Sequence, residues 1–199
     1  MKKPNIIGTF LLICLNAGLV SCTGNQENEK FPPMQFDSDL ALLSANKIIN
    51  NGFSVQLPMG FAEISGEKFR SLKSKLEEQE RPILKTEVLN AFVDTVGALF
   101  ILSKIDEPKL FQKLDDNFES SLRTVWGNDP IRSQFSINTI NVVHFQLFND
   151  NYVNIKIFIV QNNSYQLDYI IPNSQYYGYS KLIESSISTM NFKKTKEIR

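Results

Sequence analysis

The apolar residues between positions 137 and 171 predict three consecutive β-strands. Asparagine-rich segments separate them, and short polar turns of this kind join antiparallel strands into a meander. The predicted strands and turns, in chain order, are 137–148, 149–151, 152–160, 162–163 and 165–171. The middle strand has apolar residues at successive positions from Ile157 to Val160. Both of its faces are therefore predicted to be buried, which requires further layers above and below the sheet.

An Asn-Gly pair predicts a β-hairpin near residue 50. Asn51 and Gly52 stand between two apolar runs, and this pair favours a hairpin because both turn positions need positive φ. The two-residue turn places Ile48 opposite Val55. Pro58 should end the second strand, since proline lacks the N–H that a strand interior donates.

Three further segments have the composition or the apolar spacing of helices. The first follows Ser65 as its cap and covers residues 67–80, and the second begins at Asp106. The third is capped by Asn173 or Ser174. The apolar residues that share one face of the second and third helices are Leu110, Phe111, Leu114, Phe118, Leu122, Tyr176, Tyr179, Ile183, Ile187 and Met190.

The segments between the first two helices are short and apolar. Residues 83–96 fit either a strand or a helix. Residues 98–102 are too short and too apolar for anything but a buried strand. Gly127 ends the second helix, because a glycine just past the last apolar position is a common stop signal.

The first 22 residues have the three parts of an export signal. Lys2 and Lys3 precede an uncharged segment, residues 4–20, and the small residue Ser21 precedes Cys22. A basic start, a short apolar stretch and a small residue at the cleavage point are typical of a secretory signal peptide. The apolar stretch is too short to span a bilayer, which takes about 20 predominantly apolar residues.

Residues 19–22, Leu-Val-Ser-Cys, resemble the lipobox of bacterial lipoproteins. The resemblance implies that Cys22 receives a diacylglyceryl group, that a peptidase cuts between Ser21 and Cys22, and that the new amine is acylated. Two or three acyl chains make membrane attachment stable, because each buried methylene contributes about 0.8 kcal/mol. An ordinary cleaved secretory protein is the alternative.

The chain divides into four predicted parts. They are a lipoprotein signal peptide at 1–21, a lipidated N-terminus and flexible tether at 22–44, a globular domain at 45–193 and a tail at 194–199. Residues 23–40 have the polar, proline-containing composition of a tether. Thr23 stands where an aspartate would retain many lipoproteins at the inner membrane. The outer membrane, on its periplasmic face or at the cell surface, is therefore the expected location.

Three short motifs and the order of elements resemble the PsbP-like (Mog/PsbP) family. The first motif, at 51–58, is Asn-Gly-Phe-Ser followed by two apolar residues at alternate positions and a proline. The other two are the tyrosine-rich strand 165–169 and the helix end Ile-Ser-Thr-Met-Asn-Phe at 187–192. The resemblance covers residues 45–193 and implies an α+β fold, an antiparallel sheet with helices on both faces. It also implies an accessory or binding role, and these motifs carry no active site.

Charge and cysteine content exclude several classes of function. Removal of Lys2 and Lys3 with the signal leaves 19 basic and 21 acidic residues, a formal charge of −2. A nucleic-acid partner is not expected, because binding one requires a basic patch. The only cysteines are Cys14, in the signal, and Cys22. The domain is therefore expected to have no disulfide and to depend on its core for stability.

His144 is the only histidine and the first candidate for chemistry. It cannot form a zinc site alone, because zinc needs three or four ligands, and no Gly-x-Ser-x-Gly motif supplies a nucleophile. We therefore predict no catalytic residue, no metal site and no cofactor, and a protein that is not an enzyme. A carboxylate-dependent hydrolase is the least favoured alternative. It needs distant acids such as Asp168 and Glu184 to meet in one cleft.

Two aromatic residues and one threonine are further candidates. Trp126 and Tyr177 are candidate partner-binding residues, because aromatic side chains are enriched in binding hot spots. Packing of Trp126 under the helix end is the alternative. Asp94-Thr95-Val96 resembles the O-glycosylation site of Bacteroidota, which makes Thr95 a candidate unless it lies in a buried strand.

These features favour one function and leave another open. The favoured function is a lipid-anchored envelope protein whose non-catalytic domain binds or scaffolds an unidentified envelope partner. The alternative is a domain that binds a small molecule or lipid in an apolar pocket between sheet and helix.

Overall fold

The computed structural model describes residues 32–36, 38–106, 114, 116–160 and 164–192. Within these ranges the chain forms ten strands and three α-helices. The strands are β1 (Leu43–Asn50), β2 (Phe53–Pro58), β3 (Ala62–Glu63), β4 (Thr86–Val93), β5 (Leu99–Ile105), β6 (Ile131–Ile137), β7 (Ile140–Phe148), β8 (Tyr152–Val160), β9 (Ser164–Pro172) and β10 (Asn191–Phe192). The helices are α1 (Gly66–Glu80), α2 (Asp116–Trp126) and α3 (Tyr176–Ser188).

The strands form two antiparallel sheets. The main sheet has the strand order β3-β4-β5-β9-β8-β7-β6, and the small sheet has the order β1-β2-β10. The predicted meander is confirmed as β7, β8 and β9, each paired antiparallel with its neighbour in the chain. Strand β9 also pairs with β5, which joins the two halves of the chain in one sheet.

Both faces of the main sheet are covered. On one face, Val55 of the small sheet and Ile183 of α3 belong to the same core cluster. On the other face, Leu122 of α2 packs with Phe158, and Leu76 of α1 packs against the cluster of β4 and β5. The predicted α+β class, an antiparallel sheet with helices on both faces, is therefore confirmed.

The predicted Asn-Gly hairpin is confirmed in its register. Asn51 and Gly52 have φ of 42° and 87°, the left-handed conformation that this turn requires. Ile48 pairs with Val55, and Pro58 is the last residue of β2.

The predicted strand 137–148 is wrong at its beginning. Asn138 and Thr139 have φ of 48° and 70° and form a tight turn, so that β6 precedes β7 as a separate strand. Asn-Thr is a weak turn signal, because a β-branched residue seldom adopts positive φ. Strand β6 is therefore a missed element, and it forms one edge of the main sheet.

The helix predictions have mixed outcomes. Helix α1 is confirmed with Ser65 at its N-cap, although the Ser65 side chain makes no capping hydrogen bond. The ambiguous segment 83–96 contains strand β4. Gly127, with φ of 85°, follows the last residue of α2. Leu114, which the prediction places inside this helix, lies in a bend before α2, whereas residues 107–113 and the predicted turn at 162–163 lie outside the described residues.

The predicted cap of the last helix is wrong. A 3-10 turn, Asn173–Gln175, comes before α3 and makes Gln175 the residue at its N-cap. The Asn173 side chain instead donates to the carbonyl oxygen of Asn149, at 2.7 Å. This bond ties the start of α3 to the β7–β8 turn, a distant contact that local capping rules do not include.

Residues 32–36, part of the predicted tether, lie along strand β6. The Met34 N–H donates to the Ser136 carbonyl oxygen, and the Ser136 N–H donates to the Pro32 carbonyl oxygen, both at 2.9 Å. The Phe36 ring packs edge-on against Phe135, with 5.8 Å between centroids. We refer to residues 32–36 as the N-terminal strap. Among the described residues, no helix has the length and apolar character needed to cross a bilayer.

Candidate functional site

A cavity of about 240 Å³ lies between the main sheet and α3. Strands β6, β7 and β8 form one wall, α3 forms the opposite wall, and the N-terminal strap forms a third. The apolar residues that line it are Met34, Phe36, Phe135, Ile155, Ile183 and Ile187. An apolar cavity of roughly 150 Å³ is enough to bind benzene. This one can therefore hold a small apolar molecule or part of a larger one.

Six polar residues also line the cavity, namely Ser133, His144, Gln146, Tyr176, Ser180 and Glu184. Four of them bond in pairs. Ser133 Oγ and His144 Nδ1 are 2.9 Å apart, and Gln146 Nε2 donates to the Tyr176 hydroxyl at 2.5 Å. The Ser180 hydroxyl donates to the backbone oxygen of Tyr177, at 3.1 Å. The Glu184 side chain has no hydrogen bond or ion pair with any described residue.

Burial lowers the pKa of His144 from 6.5 to about 4, so the imidazole is neutral at pH 7. The residue lies on β7, on the same strand face as Val142 and Gln146, as its position in the strand predicts. Sequence spacing does not reveal its partner Ser133, because the two residues meet only through the β6–β7 register that pairs them.

A second cluster of polar residues lies on the opposite face of the sheet, beside α1 and α2. Lys156 Nζ is ion-paired with Asp168 Oδ1, at 2.6 Å, and with the Glu80 carboxylate. Gln166 Nε2 donates to Asp168 at 2.7 Å and to Glu80 at 2.9 Å. Lys156, Gln166 and Asp168 are no more than 4% exposed. The space beside them is about 10 Å³, which is room for about one water molecule.

The charges of this buried cluster stabilise one another. Burial alone would lower the pKa of Lys156, but the Asp168 and Glu80 carboxylates raise it above its usual value. Burial also raises the pKa of Asp168, and the Lys156 ammonium opposes that rise. Because two carboxylates face one ammonium, Lys156 stays charged. The cluster joins α1, β8 and β9, which indicates a structural role.

The acids of the hydrolase hypothesis do not meet. Asp168 belongs to the buried cluster beside α1, whereas Glu184 lines the cavity under α3. The sheet separates them. Among the described residues, no group of three or more His, Cys, Asp or Glu side chains is placed to hold a metal ion.

The remaining candidates have different surroundings. Trp126 is partly buried against the α2 core cluster, and Lys156 Nζ lies 5.8 Å from the centre of its ring. Tyr177 is 91% exposed. Thr95 lies exposed in the turn between β4 and β5, so its glycosylation stays a prediction. Ser21 and Cys22 lie outside the described residues.

No family model and no curated protein matches this sequence. The solution structure of cyanobacterial PsbP (CyanoP) from Synechocystis sp. PCC 6803 is similar, with a TM-score of 0.48 and 11% identity over 80% of this chain and 98% of that one. A crystal structure from Bacteroides thetaiotaomicron VPI-5482 has a TM-score of 0.45 and 17% identity over 76% of this chain and 49% of that one. These likenesses concern the fold alone.

Proposed function

We propose that this chain is a lipid-anchored protein of the bacterial envelope whose domain binds a small apolar molecule and does not catalyse a reaction. The observation that carries the proposal is the cavity of about 240 Å³ between the main sheet and α3. Ligand pockets are mostly apolar with a few placed polar groups. The surface that lines this cavity is mostly apolar, and six polar side chains are placed around it.

The expected affinity is modest. Apolar surface removed from water contributes about 25 cal/mol per Å², so a ligand that buries about 150 Å² gains roughly 4 kcal/mol. This free energy corresponds to a Kd of about 1 mM for the smallest ligands. A natural ligand with more buried surface and a paired polar group would bind more tightly.

The Ser133–His144 pair supports binding over hydrolysis. In a Ser-His-Asp triad the serine bonds to Nε2, and a carboxylate holds Nδ1. Here Ser133 occupies the Nδ1 position, so the pair has the reverse of the catalytic order. We infer that Ser133 orients a neutral imidazole in the cavity wall.

A substitution at Ser180 tests ligand binding. Ser180→Phe places a ring in the cavity and should abolish binding of 1-octanol, followed by NMR titration of the full chain. Ser180→Ala is the matched control and should bind as the original protein does. Binding that survives Ser180→Phe, or its absence from the unchanged protein, would contradict the proposal. Native mass spectrometry of material purified without detergent would identify a bound natural ligand.

The lipid anchor is tested independently at Cys22. The lipobox supports an N-terminus that begins at Cys22 with a diacylglyceryl group and an amide-linked acyl chain. Mass spectrometry of the mature protein should find that mass, and Cys22→Ser should leave the precursor uncut and unlipidated. An unmodified N-terminus at Thr23 or beyond would instead indicate an ordinary secreted protein.

A second candidate function, binding of an envelope protein, is favoured by Tyr177. Its side chain is 91% exposed beside the Tyr176 ring, with 5.8 Å between centroids. Exposed aromatic residues of this kind are frequent anchors in interfaces. Affinity capture from membranes should recover a partner that Tyr177→Ala loses and Trp126→Phe retains. Equal recovery of the partner with both variants would contradict the role of Tyr177 in partner binding.

A further inference from the structure

Glu184 is the one polar side chain of the cavity that has no described partner. Ser133 bonds to His144, Gln146 bonds to Tyr176, and Ser180 bonds to the backbone of its own helix. Through these three contacts, each of the other polar side chains that line the cavity has a partner within the protein. The Glu184 carboxylate, half-buried on α3, is therefore the group left to a ligand.

The described residues that line the cavity carry a net negative charge, from Glu184. No lysine or arginine is among its described lining residues, and burial keeps His144 neutral at pH 7. A ligand with a carboxylate or phosphate would bring a second negative charge beside Glu184. A cationic group would instead form a charge-assisted hydrogen bond, which is shorter and stronger than a neutral one.

We propose that the cavity binds an amphiphile with a small cationic head, such as a primary ammonium, paired with Glu184. Its apolar part lies against Ile183 and Ile187 of α3 and against Met34 and Phe36 of the N-terminal strap. This inference rests on the proposed function, since it names the ligand class of the same cavity. Glu184 sets the specificity of binding, while the apolar walls provide most of its strength.

Three probes of equal chain length test the inference. Octylamine, 1-octanol and octanoate are titrated at pH 7 against the full chain with Cys22→Ser, and binding is followed by NMR. Octylamine should bind about tenfold more tightly than 1-octanol, which is the factor that one partly solvated charge-assisted hydrogen bond provides. Octanoate should bind more weakly than 1-octanol.

Glu184→Gln separates the contribution of the head group to affinity from the contribution of the apolar walls. This variant should lose the tenfold preference for octylamine and keep its affinity for 1-octanol. Glu78→Gln, on the exposed surface of α1, is the matched control and should keep the preference. Unfolding of each variant by denaturant confirms that the domain is intact.

The outcomes distinguish the two proposals. If 1-octanol binds but octylamine has no advantage, or if Glu184→Gln keeps that advantage, the inference fails and the proposed function stands. If octanoate binds most tightly, the assigned charge of the head is wrong. If none of the three probes binds, both the inference and the proposed function fail.

Discussion

Removal of the Lys156 side chain should strongly destabilise the domain. It is 2% exposed and pairs with two carboxylates. Lys156→Met leaves the buried Asp168 and the partly buried Glu80 without a cation, a change that typically lowers the free energy of unfolding by about 3–5 kcal/mol. Denaturant unfolding followed by circular dichroism measures the loss.

An exposed ion pair provides the control for this substitution. Lys85 Nζ lies 3.1 Å from Asp106 Oδ2, and both side chains are at least 75% exposed. Pairs of this kind contribute about 0–1 kcal/mol, so Lys85→Met should have a small effect. Equal losses from the two variants would show that burial of the Lys156 cluster does not determine its contribution.

His144 should make stability depend on pH. Burial lowers its folded-state pKa to about 4 from 6.5, so the unfolded chain binds the proton first as the pH falls. Stability from this residue is therefore full above pH 6.5 and is lost as the pH falls toward 4, by about 3 kcal/mol. Unfolding curves at pH 7, 5.5 and 4.5 measure this slope.

The slope is assigned to His144 by comparison with His144→Gln, which retains a polar group beside Ser133. Glu184 and Tyr176 of α3 are the other titratable groups among the described lining of the same cavity. Their contribution is present in both proteins, so the difference between the two profiles isolates the imidazole. Parallel profiles would contradict the role of the buried imidazole.

Two glycines should respond in opposite directions to alanine. Gly178 lies in the first turn of α3, is exposed, and has open space where a Cβ would be. Gly178→Ala should raise the free energy of unfolding by about 0.5–1 kcal/mol, because alanine restricts the unfolded chain and favours helix. Thermal unfolding measures the change.

Gly127, just past the end of α2, is the contrasting case. Its surroundings are equally open, but its φ is +85°, a conformation that a side chain strains. Gly127→Ala should therefore lower stability by about 1 kcal/mol. If both variants shift stability in the same direction, local backbone conformation does not determine the effect of alanine at these two helix ends.

The elements that the sequence predicts correctly are determined by residues that lie close together in the chain. Asn51-Gly52 requires a turn by its own chemistry, and the apolar stripe of α3 has a period that only a helix satisfies. Strand β6 was missed because Asn138 and Thr139 are an uncommon pair for left-handed turns. The docking of the N-terminal strap was also missed, because its hydrogen bonds depend on an edge strand about 100 residues later in the chain.

The candidate site was predictable in kind but not in its residues. A pocket between sheet and helix follows from a layered α+β fold, whereas its lining comes from residues on five separate segments. Glu184 was named only as a partner for Asp168, and the sheet keeps those two residues apart. Lys156 carried an unused signal: a lone lysine within the run Ile155–Ile159 indicates a buried pair, because lysine is almost never buried without a partner.

The two faces of the main sheet differ in how the layers against them are packed. On the side with α1 and α2, the space beside Lys156 is only about 10 Å³, and Lys156 joins the elements through buried charge. The side with α3 contains the cavity, and the N-terminal strap forms one of its walls. The strap begins ten residues after Cys22, the predicted anchor, in the sequence. The predicted membrane attachment and the cavity are therefore close along the chain.

Removal of the strap should weaken ligand binding without unfolding the domain. Met34 and Phe36 supply two of the six apolar lining residues, and two backbone hydrogen bonds hold the strap to β6. A Cys22→Ser chain that lacks residues 23–36 should bind 1-octanol at least several-fold more weakly than one that lacks only residues 23–30. NMR titration measures both affinities, and denaturant unfolding confirms that both chains are folded. Equal affinities would mean that the strap covers the sheet edge but contributes nothing to the ligand site.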